Sequence, residues 1–237
     1  HDHSEWKENR TRVRDQANAP SVRVVTTTEH AKDKAQSGEH SAEGKDQGAA
    51  TTRQAATPVG QLDLFAVPPP PRATLDVAVE SVGIDFSRPH GKRFGTLVHA
   101  VLSVVDLNAD AEGIQAAAEL QRRLFGATSE EVTAATETVT RALAHPLMKR
   151  AAAASLAGRC RRETPIAMRL EDGVIVEGIV DLAFVDESDP GTWIVVDFKT
   201  DFEISGKLDE YREQVALYAR GISRATGLAV KGVMLRM

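Results

Sequence analysis

Val195-Val196-Asp197-Phe198-Lys199 carries an acid and a lysine two residues apart inside a hydrophobic run. A strand sends residues i and i+2 to one face. Asp197 and Lys199 then point the same way, while Val196 and Phe198 point into a core. A carboxylate holds a divalent cation and a neighbouring ammonium faces a phosphate, the two needs of phosphodiester hydrolysis. A bare D-x-K pair also describes a salt bridge at a strand end. Asp181, in Glu177-Gly178-Ile179-Val180-Asp181-Leu182, lies on the preceding strand. Hairpin pairing of the two strands would bring Asp181 and Asp197 to one edge. Carboxylates that close repel unless a cation lies between them. Gly178 permits close backbone approach at this point. Asp181 alone reads first as a surface residue on a half-buried strand.

Three further residue sets lie elsewhere in the chain. His99 flanks the apolar stripe of a helix, where a histidine is commonly a satisfied boundary residue. Gln214 and Tyr218 are i and i+4 on a late helix and share a face. Tyr211, one turn earlier, reads as ordinary packing. Cys160 lies among Arg159, Arg161 and Arg162; cationic neighbours lower a thiol pKa, but no histidine-based triad can be placed near it and it receives no role.

These residues need elements to position them. Phe94, Leu97, Val98, Val101, Leu102 and Val105 follow helical spacing and predict a helix over 94–107. Residues 111–125 and 129–144 predict two more, the second with Ser129 as N-cap and Glu130 and Glu131 in the first turn. Pro146 and Gly158 bound a fourth, over 146–157. The period then changes. Glu163–Leu170 alternates, with Ile166, Met168 and Leu170 on one face. A turn at Glu171-Asp172-Gly173 leads to a strand over Val174–Val185 and, after a polar loop, another over Trp193–Lys199. Residues 207–226 predict a helix stopped by Gly227, and Val230–Leu235 a last strand. The order predicts an α/β fold: a central mixed sheet with helices on its faces.

The first 75 residues contribute little of the 42% apolar content. Residues 5–19 allow a short helix and Ser21–Thr26 a short extended piece. From Glu29 to Thr57 almost no large apolar residue occurs, which predicts a disordered linker. Leu62, Leu64, Phe65 and Val67 form a small apolar patch before Pro68–Pro71, which stiffens the chain. The folded domain is expected from about Asp76. With no starting Met and no apolar signal core, the chain reads as a piece of a longer or processed polypeptide. His1-Asp2-His3 reads as a polar terminus rather than a metal site. No apolar run approaches the ~20 residues of a membrane span. The single cysteine excludes a disulfide framework and any four-cysteine zinc or iron–sulfur site, and makes a reducing, cytoplasmic setting the default. A net charge of −5 does not favour a surface that binds nucleic acid everywhere. Local basic clusters remain, at Arg159/Arg161/Arg162 and at Arg88/Lys92/Arg93.

In order, the chain gives Gly95-x-x-x-His99, Glu163-Thr164-Pro165, Gly178-x-x-Asp181, Asp197-x-Lys199 and Gln214-x-x-x-Tyr218. Over roughly residues 90–237 this resembles the nuclease domain of the RecB/AddAB family, in the PD-(D/E)XK superfamily. The segment with Trp6 and Val22–Glu29 looks, more loosely, like the end of a UvrD-like helicase. The resemblance implies a restriction-endonuclease-like core with an N-terminal helical region and a disordered tail. It implies three parts: 1–28 as the end of a helicase-like region, 29–75 as linker, and 76–237 as the nuclease domain. It implies that Asp181 and Asp197 bind Mg²⁺ or Mn²⁺, with His99 and the Phe198 carbonyl as further ligands. Lys199 would orient or activate the attacking water and stabilise phosphate charge. Gln214 and Tyr218 would position the site and the nucleic-acid strand, and Glu163 would have a supporting role. The implied partners are DNA, as a single strand delivered by a helicase motor, and a second helicase–nuclease subunit.

The chain departs from parts of that family. Some members carry a four-cysteine iron–sulfur cluster, which one cysteine cannot hold. No Walker A loop occurs: Gly44-Lys45 and Gly91-Lys92 are followed by Asp46 and Arg93. ATP would therefore act only in a motor region outside this sequence. Two other readings stay open: a non-catalytic nuclease-fold module for DNA binding or subunit docking, and a generic α/β domain with a surface salt bridge.

Overall fold

The structure, a computed structural model, describes residues 7, 10, 11, 23–39, 76–83 and 87–237. Among the described residues six strands form one mixed sheet. They are β1 (Val24–Thr26), β2 (Val77–Ser81), β3 (Cys160–Arg169), β4 (Ile175–Val185), β5 (Thr192–Lys199) and β6 (Ala229–Arg236). The order is β1-β4-β5-β6-β2, with β3 on the other edge of β4. β3, β4 and β5 form the expected antiparallel meander, and β6, β2 and β1 add in parallel. The expected α/β architecture with flanking helices is what the chain adopts.

The helices are α1 (Thr27–Glu39), α2 (Lys92–Val104), α3 (Ala111–Phe125), α4 (Ser129–Ala144), α5 (Pro146–Leu156) and α6 (Leu208–Thr226). The amphipathic stripe of α2 buries Phe94, Leu97, Val98, Val101 and Leu102. Together with α3–α5 it covers one sheet face through Leu182, Phe184, Val196 and Phe198. α6 covers the other face, packing Tyr211, Val215, Tyr218 and Ile222 on Val180, Ala183, Val195 and Met234. The N-cap of α4 is Thr128, not Ser129. Thr128 and Glu131 form a reciprocal capping box, which satisfies two backbone donors where Ser129 would satisfy one.

The N-terminal region differs most from expectation. Residues 29–39, assigned to a linker by composition, belong to α1, which packs on α6 and follows a strand of the main sheet. The other features expected before Asp76, including the helix over 5–19, the apolar patch and the proline run, lie outside the described residues apart from isolated positions.

The basic clusters are largely spent on the fold. Arg88 is 5% exposed, donates to the Thr200, Met237 and Pro89 carbonyls, and stacks over Phe94 and Phe202. Arg162 donates to the Leu102 and Val105 carbonyls at the end of α2, and Arg93 pairs with Glu131. Burial pushes the Cys160 thiol up despite Arg162 and Arg161 nearby. Among the described residues no helix is long and apolar enough to cross a membrane.

Candidate active site

The site sits where the sheet splits. β4 pairs with β5 from Leu182↔Val196 to Val185↔Trp193, and with β1 at Ile175–Glu177 on the same edge. Between these two partners lie Gly178–Asp181. The next rung of the β4–β5 register would join Asp181 to Asp197, but the ladder stops there. The Asp181 carboxylate instead accepts the Phe198 N–H through Oδ2, at 2.8 Å. Side-chain alternation slips at the same place: Val176 and Val180 pack toward α6, whereas Leu182 and Phe184 pack toward α2–α5.

Glu163 stands across from Asp181 on β3, between the pairs Arg162↔Leu182 and Thr164↔Val180. Its φ of 47° is a left-handed conformation, the only positive φ among described non-glycine residues. Such backbone costs on the order of 1–2 kcal/mol and is held by its surroundings. Burial raises the Glu163 pKa, and the Asp181 charge adds to this. Glu163→Gly is expected to melt at or above the wild-type temperature, although it removes a side chain, because glycine accepts positive φ without strain. A thermal melt checks this.

Lys199 Nζ lies 2.7 Å from Asp197 Oδ2 and donates to Gln214 Oε1 at 3.1 Å. The ammonium also stands 4.5 Å above the Tyr211 ring. Asp197 is 3% exposed, and its Oδ2 receives no well-directed hydrogen bond although the ion pair is close. Burial raises its pKa to about 6; the Lys199 charge opposes this and Asp181 reinforces it. His99, on α2, has Nδ1 3.5 Å from Asp181 Oδ1 and its ring edge-on to Phe198. Burial lowers the His99 pKa, but the Asp181 contact and the charges of Asp181 and Asp197 outweigh it, so the net shift is upward. An open cavity of about 510 Å³ runs along α2 beside His99, lined by Lys92, Thr96, Ser103 and Glu163.

Both helices approach the strands closely through glycine. A Cβ on Gly95 would meet Thr200 Oγ1 at 2.8 Å. A Cβ on Gly178 would meet Thr27 Oγ1 at 2.6 Å and Tyr218 Cε1 at 2.8 Å, so the motif glycine seats the α6 tyrosine. Gly178→Ala is expected to cost about 1–3 kcal/mol, since neither neighbour has free space; chemical denaturation measures it.

His99, Glu163, Asp181, Asp197, Lys199, Gln214 and Tyr218 gather at this sheet end, with differences in placement. Gln214 and Tyr218 are 8% and 4% exposed and hydrogen-bond to Lys199, to buried Thr27 and to exposed Thr28. Both are buried beside Lys199 rather than exposed. Tyr211, read as packing, carries the Lys199 ammonium on its ring and donates to Asp201 Oδ2 at 2.5 Å. Its position one turn before Gln214 was the available signal. Thr27 and Thr28 had none.

Residues 78–236 match the family model for the PD-(D/E)XK nuclease superfamily. The chain belongs to that superfamily. A search of curated proteins finds no match to it. Membership implies a nuclease, a hydrolase acting on DNA with a divalent cation such as Mg²⁺. Among the described residues no three His, Cys, Asp or Glu side chains already converge in metal-binding geometry. The donor set nonetheless suits the cation. Asp197 Oδ2 is buried without an oriented donor, Asp181 Oδ1 has a long contact to His99, and carboxylate oxygens suit Mg²⁺ or Mn²⁺.

Proposed function

We propose that this chain is a divalent-metal-dependent deoxyribonuclease of the RecB/AddAB type. In this reading it is the C-terminal module of an ATP-dependent helicase–exonuclease, of exonuclease V type, acting in double-strand-break repair and recombination. The nuclease part rests on one observation above others: Asp181, Asp197 and Lys199 meet where two strands part, with His99 on the adjoining helix. The helicase part rests on the ordered motif and the looser resemblance before it. It brings a single DNA strand fed by a motor, a second helicase–nuclease subunit, a cytoplasmic setting and the three-part division 1–28, 29–75 and 76–237. That division is modified by α1, which ties residues before Glu39 to the nuclease core.

In this reading Asp181, Asp197, His99 and the Phe198 carbonyl hold the cation. When bound, the cation polarises a phosphoryl oxygen and lowers the pKa of water. Lys199 supplies a fixed positive charge for the phosphate and orients the attacking water. Gln214 aims that ammonium, and Tyr218 braces Gln214. Glu163 supports the site from β3.

The test is Mn²⁺ calorimetry, with and without DNA, on this chain and on Asp181→Ala/Asp197→Ala, alongside cleavage of end-labelled single- and double-stranded DNA. Binding that is lost in the folded double variant, with cleavage only in the presence of metal, is expected. A folded wild type that binds no metal even with DNA present would overturn the reading. DNA shifted in EDTA yet intact in Mg²⁺ would favour the non-catalytic module.

A further inference from the structure

Two side chains that complete the hydrogen bonding around Lys199 come from outside the family match at 78–236. Thr27 and Thr28 sit at the junction of β1 and α1. Thr27 is 2% exposed, rests on the Gly178 backbone and donates to Tyr218 OH at 3.2 Å. Thr28 Oγ1 accepts from Gln214 Nε2 at 3.1 Å. The Gln214 amide has one oxygen and two N–H protons to place. Its oxygen accepts from Lys199 Nζ, and its protons go to Tyr218 OH, at 3.0 Å, and to Thr28 Oγ1. The Lys199 ammonium can only donate, so it takes the amide oxygen, and the two hydroxyls accept the amide protons. The reversed amide would aim NH₂ at an ammonium and offer its oxygen to Thr28. Pairing of β1 with β4 and the ion pair Lys34–Glu213, at 2.8 Å, hold the junction in place.

We propose that the β1–α1 junction is a positioning element of the site: Thr27 and Thr28 fix the Gln214 amide with its oxygen on Lys199. The inference deepens the nuclease reading and rests on it. Neither threonine touches substrate; Thr28 acts through Gln214, and Thr27 through Tyr218. The terminal torsion of glutamine is broad and roughly two-fold, so it is set by partners rather than by its own preference. Thr28 is solvent-exposed, so water partly replaces its hydroxyl, whereas Thr27 is buried and nothing replaces it. The pair must therefore be changed together. Thr26 and Glu29 cap α1 reciprocally, so changes at Thr27 and Thr28 leave the cap intact.

The experiment compares Thr27→Val/Thr28→Val, which keeps shape and removes hydroxyls, with Thr27→Ser/Thr28→Ser, which keeps hydroxyls and trims methyls. The first readout is NMR of the Gln214 side-chain NH₂ protons in metal-free protein. Their exchange with water is expected to be ~5-fold faster or more in the valine pair, the worth of about one hydrogen bond, and near wild type in the serine pair. The second is DNA cleavage at saturating metal. The valine pair is expected to lower kcat by roughly 10-fold with KM little changed, and the serine pair to restore it, since a misaimed charge is felt mostly in the transition state. Unchanged Gln214 exchange in the folded valine pair would overturn the proposal. So would equal losses in the valine and serine pairs, which would mean packing alone. If the valine pair fails to fold, Thr27→Val alone, which removes the hydroxyl that water cannot replace, carries the NMR readout through Tyr218. A wild type that binds no Mn²⁺ even with DNA present would sink the nuclease reading, while the exchange result would still decide the positioning.

Discussion

Asp197→Asn is expected to slow metal-dependent cleavage severely while raising the melting temperature of the metal-free protein at neutral pH. The two effects share one cause. Asp197 is 3% exposed, and burial raises its pKa to about 6 against the pull of Lys199. A carboxylate whose folded pKa lies above its unfolded value binds a proton more readily in the folded state. Between the unfolded pKa near 4 and the folded value near 6, the folded state holds more protons, so stability falls as pH rises. Above about pH 6 the full cost of the buried charge is present. Asparagine removes that charge, and roughly 2–4 °C in melting temperature is expected for each kcal/mol relieved in a protein of this size. The gain should shrink below pH 4, where aspartic acid is itself neutral. With the cation the order reverses: Mn²⁺ at about 100 times its dissociation constant would stabilise the wild type by about 2.7 kcal/mol and the variant by far less. Cleavage should fall by ~10²-fold or more, the scale of losing one electrostatic contact to a transition state. Thermal melts across pH, with and without Mn²⁺, check both halves. A variant less stable than wild type at pH 7.5 without metal would show that the Lys199 pair outweighs desolvation.

Lys199→Met is expected to bind Mn²⁺ more tightly and to cut DNA far more slowly. The Lys199 ammonium lies 2.7 Å from the carboxylate offered to the cation and so repels and competes with it. Removing a unit charge a few ångströms away is worth a kcal/mol or more at an effective dielectric of about 20, so ~10-fold tighter binding is expected. Methionine keeps the apolar stem against the Tyr211 ring. Cleavage should drop by ~10²–10³-fold, because the charge meant for the phosphate is gone. Calorimetry and single-turnover cleavage on one preparation separate the two. Weaker metal binding in the folded variant would mean that Lys199 holds Asp197 in place for the cation rather than competing with it.

The parts of the fold that bury apolar stripes were legible. α3 and α4 fall at the expected residues, and α2, α5, α6 and β4–β6 within two or three. β3 begins three residues before its alternation is visible, because Cys160, Arg161 and Arg162 carry no apolar alternation although their burial alternates. α1 escaped for a physical reason. It docks through Thr27 and Ala31, a buried hydroxyl and a buried methyl, and through Lys34 on Glu213, none of which registers as a hydrophobic stripe. β2 is a five-residue strand with one buried residue, so too little of it alternates to be read. At the site, the pairing of Asp197 with Lys199 followed from strand geometry. The parting of β4 from β5 at Asp181 did not, because register is a property of two strands together.

Arg88 joins the approach to α2, which carries His99, to the carbonyl of Thr200, next in the chain after Lys199, and to that of Met237 at the end of β6. One guanidinium thus rivets the histidine's helix to the lysine's strand. The two halves of the site are then expected to open together: freeing the start of α2 breaks the Arg88 bonds to the ends of β5 and β6. Amide protons on both sides should be released in the same opening event, a cooperative unit drawn around the chemistry rather than around either element.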